Sequence, residues 1–79
     1  MRLILKIETT QLGSMEVWDT ETEMLGEKVY SIVGEKRRNG EKNTRFGNKV
    51  QTIGILKTYQ YSVKREYKDL YKTFMDTFK

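Results

Sequence analysis

The stretch Ser62-Val63-Lys64-Arg65-Glu66-Tyr67-Lys68-Asp69-Leu70-Tyr71-Lys72-Thr73-Phe74-Met75-Asp76-Thr77-Phe78 decides the fold. Its apolar residues, Val63, Tyr67, Leu70, Tyr71, Phe74, Met75 and Phe78, recur at steps of three and four. That spacing puts them on one side of an α-helix over 63–78. Arg65, Lys68, Asp69, Lys72 and Asp76 fall on the other side, so one face is dry and one wet. Ser62 stands where an N-cap belongs. A helix of this length is marginal alone in water. Its aromatic stripe needs a surface to cover, and the rest of the chain has to provide it.

The upstream sequence reads as that surface. Leu3, Leu5 and Ile7 alternate with Arg2, Ile4, Lys6 and Glu8, the period of a strand with one buried face. Gln11-Leu12-Gly13-Ser14 reads as a turn, and 15–18 as the returning strand. Residues 20–25 read as a connection with one helical turn, because Thr20 and Glu23 form a capping-box pattern. The β-branched residues Val29, Ile32 and Val33 favour a strand after it. Asn39-Gly40 is a type I′ turn signal. Folding there sets Val33 against Phe46 and Val29 against Val50, on one shared face. The part of this hairpin from 35 to 43 has no apolar residue and is expected to project as a solvated finger. Ile53, Ile55, Tyr59 and Tyr61 suggest a last strand, with Gly54 as a bend. The expected architecture is a single α+β domain over 1–79. It has a small twisted antiparallel sheet of four to five strands, at about 2–9, 15–18, 28–34, 44–52 and 54–61. One C-terminal amphipathic helix, at about 63–78, packs on a face.

Composition narrows the chemistry. The chain has 79 residues, no His, no Cys and no Pro. Disulfides, thiolate metal sites and imidazole catalysis are therefore excluded. Leu3-Ile4-Leu5 is far too short to span a membrane, so no membrane insertion and a cytoplasmic location are expected. The formal charge of +4 is unevenly spread. From 7 to 27 there are acids and no base, and from 28 to 49 bases dominate. The simplest expectation is that the two segments lie side by side and screen each other.

Trp18-Asp19-Thr20-Glu21-Thr22 resembles the first metal-binding motif of the DnaQ-like exonucleases, where Asp-x-Glu closes a strand and holds a divalent ion. That resemblance implies further carboxylates on later elements. Here Glu66, Asp69 and Asp76 fall on the wet helix face, so the match reads as chance. A calcium loop starting at Asp19 fails at its glycine and its closing glutamate, where Met24 and Tyr30 stand. With no phosphate-binding Gly-rich loop either, no enzyme activity, metal or cofactor is expected.

Binding is the remaining expectation. Lys36, Arg37, Arg38, Lys42, Arg45, Phe46 and Lys49 would line the hairpin as a contact for an intracellular protein partner. Trp18, Tyr59 and Tyr61 would give an aromatic contact face. The leading expectation is a non-enzymatic protein-binding module. Its size class is common among viral and mobile-element proteins that inhibit or modulate a host protein. The alternative is nucleic-acid binding by the basic hairpin 36–49, whose two-stranded ribbon fits a major groove. A homo-oligomer using a free sheet edge is a third reading.

Overall fold

The structure, a computed structural model, describes residues 1–78. Lys79, inside the expected domain range, lies outside the described residues. Strands β1 (Arg2–Glu8), β2 (Gly13–Met24), β3 (Glu27–Lys36) and β4 (Lys42–Gly47) form one antiparallel sheet in the order β1-β2-β3-β4. Helix α1 (Lys49–Lys57), a 3-10 turn (Arg65–Tyr67) and helix α2 (Lys68–Phe78) complete an α+β fold.

The alternation in β1 and β2 builds the core. Leu5 pairs with Val17 and Ile7 with Met15, and Val17 in turn pairs with Ile32. All five are buried on the helix-covered side, where Leu56 of α1 and Met75 of α2 meet them. The β1–β2 turn is closed by Thr9, which is fully buried. Its hydroxyl donates to the Gly13 carbonyl at 3.0 Å and accepts from the Leu12 and Gly13 amides at 3.2 Å. Gly13 has φ +147°, and a Cβ there would come within 2.3 Å of the Glu35 carbonyl oxygen. Only glycine fits this close approach of two strands.

The helical layer differs from the expected one. Residues 54–61 are not a strand, and 44–52 is a strand only as far as Gly47. Asn48 caps α1 instead. Its Oδ1 accepts from the Gln51 amide, and the Gln51 Oε1 accepts from the Asn48 amide, each at 2.9 Å. This reciprocal cap outweighs the β-branched character of Val50, Ile53 and Ile55. Thr52 and Leu56, four residues apart, form the buried face, and Val50 is left exposed.

The C-terminal helix starts later than expected. Val63 forms a β-bridge with Thr9, and the Lys64 amide donates to the Glu8 carbonyl at 2.9 Å. Those residues extend the edge of the sheet and cannot be helical at the same time. Ser62 is not the N-cap: its hydroxyl donates to the Tyr59 carbonyl at 3.0 Å. The aromatic stripe otherwise packs inward through Tyr67, Tyr71, Phe74, Met75 and Phe78, and Leu70 falls on the exposed edge. The Tyr71 hydroxyl donates to the Leu56 carbonyl at 2.8 Å, a second bond beside the one that carbonyl accepts from the Tyr59 amide, and so ties α2 to the end of α1. Phe78 meets Tyr30 of β3 edge-on, with ring centroids 4.9 Å apart.

The cap of α1 is open to a direct check. Replacing Asn48 by Ala removes one side-chain partner from the first turn and is expected to lower stability by about 1 kcal/mol. Urea melts of the two proteins, with an unchanged slope, read that difference.

Candidate functional site

The β2–β3 connection is a tight hairpin and not a helical turn. Met24 pairs with Glu27, and Leu25-Gly26 make the turn. Both have positive φ, 53° and 78°, as a type I′ turn requires. Gly26 adopts this freely. For Leu25 it presses Cβ towards the following carbonyl, at a cost of roughly 1–2 kcal/mol. Nothing offsets that cost by burial, because Leu25 is 100% exposed.

A bulge in β2 aims this tip. Between the pairs Asp19↔Tyr30 and Glu23↔Lys28, β2 sets Thr20-Glu21-Thr22 against Val29 alone. Glu21 takes φ 62°, its amide donates to Asp19 Oδ1 at 2.8 Å, and the Thr20 hydroxyl donates to the Val29 carbonyl at 2.6 Å. A bulge of this kind strengthens the local twist and turns the strand end. The tip thereby borders the start of α1. Met24, Leu25, Val29 and Phe46 line a shallow hollow of about 310 Å³ there. Met24 and Phe46 are 68% and 65% exposed.

The apolar surface continues across the sheet face that no helix covers. Leu3, Trp18, Ser31 and Phe46 are successive cross-strand partners. Ser31 is only 2% exposed although it lies on the uncovered face, flanked by the two aromatic partners. The Trp18 indole donates to Glu16 Oε1 at 3.0 Å, and Glu16 lies 3.8 Å from Lys6, so the row has a charged border. Around the tip Glu21, Glu23 and Glu27 are exposed, and Lys28, also exposed beside them, is engaged by Asp19.

The residues expected to form a basic contact do not share one surface. Asn39-Gly40 sits in a longer loop, with Lys36 paired to Glu41 through the bond from the Lys36 amide to the Glu41 carbonyl at 2.9 Å. The register therefore shifts by two, and Val33 faces Thr44 while Phe46 faces Ser31. The segment does not project as a free finger. Arg37 is tied to the β1–β2 turn, its amide donating to the Leu12 carbonyl and its guanidinium to the Thr9 carbonyl. Arg38 is exposed in the loop. Arg45 pairs with Ile32 on the helix side, whereas Lys42 and Phe46 pair with Glu35 and Ser31 on the open face. Lys49 lies at the far end of the sheet, 5.3 Å from the Phe78 ring centroid. The three aromatic residues are also separated. Trp18 is on the open face, Tyr59 packs against the core on the helix side, and Tyr61 is exposed in the α1–α2 connection.

The acidic and basic segments of the sequence meet where β2 pairs with β3, and Lys28 is bonded to Asp19 at 2.8 Å across that seam; their exposed ends diverge. The acidic tip is at one end of β3, and the loop with Arg37 and Arg38 is at the other. Met24 and Leu25 were invisible as contact residues because leucine gives no signal for a left-handed turn. The available hint was Gly26, the second turn position, with strand-like residues on both sides.

Asp19 of the Asp-x-Glu motif does not face a metal site. It is 3% exposed and accepts from Lys28 Nζ at 2.8 Å, with the Arg2 guanidinium 3.6 Å away. Among the described residues no group of His, Cys, Asp or Glu could hold a metal ion. The Lys28 hydrogen bond and the Glu21 amide hold the Asp19 carboxyl below its ordinary range, and Asp19 raises Lys28. Glu8 is lowered in the same way by Lys64, 3.0 Å away, with help from the Tyr67 hydroxyl. No family model matches the sequence, and no curated protein and no solved structure matches it.

Both lowered carboxyls favour folding when ionised, so the stability they add is complete above roughly pH 5. It is lost as the pH falls through the ordinary carboxylate range towards their folded values. Raised Lys28 acts in the opposite sense, its contribution fading only as the pH climbs past the ordinary lysine range near 10. Asp19→Asn is therefore expected to melt at a lower temperature than the parent at pH 7. The two melting curves should converge as the pH is lowered to about 3. A constant gap across that range would assign the effect to packing.

Proposed function

We propose that this chain is a non-enzymatic binding module that docks on another protein through its β2–β3 hairpin tip. The observation that carries the reading is Leu25, an apolar side chain held fully exposed in a backbone conformation unfavourable to leucine. Exposed strained positions of this kind recur where a segment meets a ligand. Met24, Leu25 and Phe46 supply the apolar centre, and the open-face row through Trp18 extends it. Glu21, Glu23 and Glu27 surround the tip, and among the described residues the one cation in its hollow, Lys28, is engaged by Asp19, so the complementary partner is a protein with an apolar pocket rimmed by Lys or Arg.

No helix among the described residues is long and apolar enough to cross a membrane. An intracellular, cytoplasmic partner accords with the cysteine-free composition. Inhibition or modulation of a host protein, as small viral and mobile-element proteins practise it, is the form of action that size and composition suggest. The nucleic-acid reading of 36–49 has less support, because its cations are divided between two faces and both ends of the sheet.

Leu25→Asn separates docking from folding. Asn tolerates the left-handed region, so the variant is expected to be more stable by about 1 kcal/mol. It is also expected to lose the partner that the parent chain retains from a cytoplasmic extract treated with nuclease. A variant that is more stable and still retains the same partner would remove the tip from the contact. If nuclease treatment abolished retention by the parent chain, the nucleic-acid reading would replace this one.

A further inference from the structure

We propose a second, independent site: a cavity on the helix side of the sheet that binds a small aromatic monocarboxylate. It measures about 240 Å³ and lies between the β3–β4 hairpin and the last turn of α1. Its origin is a missing side chain. Gly34 points to the covered face, in the row Met15–Gly34–Asn43, and a Cβ built on it would meet nothing within 4 Å. The surrounding wall is apolar, made by Leu12, Met15, Ile32, Ile55 and Tyr59. This is the composition of a site for a small hydrophobic body.

The rim supplies the counter-charge. Arg45, Lys36 and Asn43 stand at the opening. Among the described residues, the Arg45 guanidinium has no hydrogen-bond or ion-pair partner. Lys36 makes only a long contact, 3.9 Å, with Glu41. Glu35 also borders the cavity, but one of its carboxylate oxygens lies 3.9 Å from where a Cβ on Gly40 would sit, and it forms no ion pair with Arg45. A free guanidinium presents a planar fork that matches a carboxylate with two parallel N–H bonds. The Asn43 amide is exposed beside it and can donate a further bond. The space admits one aromatic ring, with the acid group left at the mouth. The site is separate from the hairpin tip, which lies seven residues back along β3, roughly 23 Å away.

The test titrates phenylpropionate into the isotope-labelled full chain and follows the backbone amide shifts. Saturable shifts are expected at Gly34, Arg45, Ile55 and Tyr59. Phenylpropanol, which keeps the ring and lacks the charge, and Arg45→Gln should each weaken binding by about tenfold or more. Gly34→Val fills the cavity from its floor with a residue that suits a strand. It should melt no lower than the parent and show no saturable shift. Equal affinity for the acid and the alcohol, or undiminished binding by folded Gly34→Val, would overturn the assignment. A short peptide ending in phenylalanine that bound more tightly than the free acid would also overturn it, giving the cavity to a chain terminus.

Discussion

A four-stranded sheet has two faces, and this chain has helices enough for one. Across the strands the sheet spans about 14 Å, and each helix with its side chains is about 10 Å wide. Helices α1 and α2 side by side cover one face and leave nothing for the other. Every apolar residue of the sheet is therefore sorted by the side on which its strand register puts it. Leu5, Ile7, Val17 and Ile32 fall on the covered side and become the core. Leu3, Trp18 and Phe46 fall on the other and remain partly or largely exposed. The open face is kept tolerable by the Lys6–Glu16 pair and by a small residue, Ser31, flanked by Trp18 and Phe46. The hairpin tip has no such compensation.

The helical layer is bound to the sheet at its edge as well as by its apolar faces. The bridge between Thr9 and Val63, with the Thr10 amide donating to the Ser62 carbonyl at 2.7 Å, fixes where the α1–α2 connection meets β1. From there α2 runs back along the sheet until Phe78 reaches Tyr30. The ion pair of Lys64 with Glu8 closes the same corner. Thr9 thus joins the first turn of the sheet to the last element of the chain. Among the described residues no buried side-chain polar atom lacks a partner, so this corner is satisfied as well as buried.

Much of this was legible because two periods were clear. The alternation of Leu5 and Ile7, and the helical spacing of Tyr71, Phe74, Met75 and Phe78, each specify one buried side. What could not be read has local causes. The run Val50, Ile53, Ile55 has the residue types of a strand, and the Asn48–Gln51 cap with the buried pair Thr52 and Leu56 tips it to a helix. Asn39-Gly40 marks a turn correctly but not its length, and two extra loop residues moved Phe46 from Val33 to Ser31. That shift preserved the face of each residue, because a strand repeats every two positions. Leu25 was hidden for the opposite reason. Its side chain argues against the conformation that the hairpin imposes on it.

Charge adds a last constraint. The exposed glutamates of the tip share that end of the β2–β3 ribbon with Lys28, whose ammonium is taken up by Asp19 at 2.8 Å. For the proposed contact at this tip, added salt would screen those charges and leave the apolar surface of Met24 and Leu25, so association would be slowed more than the complex is loosened.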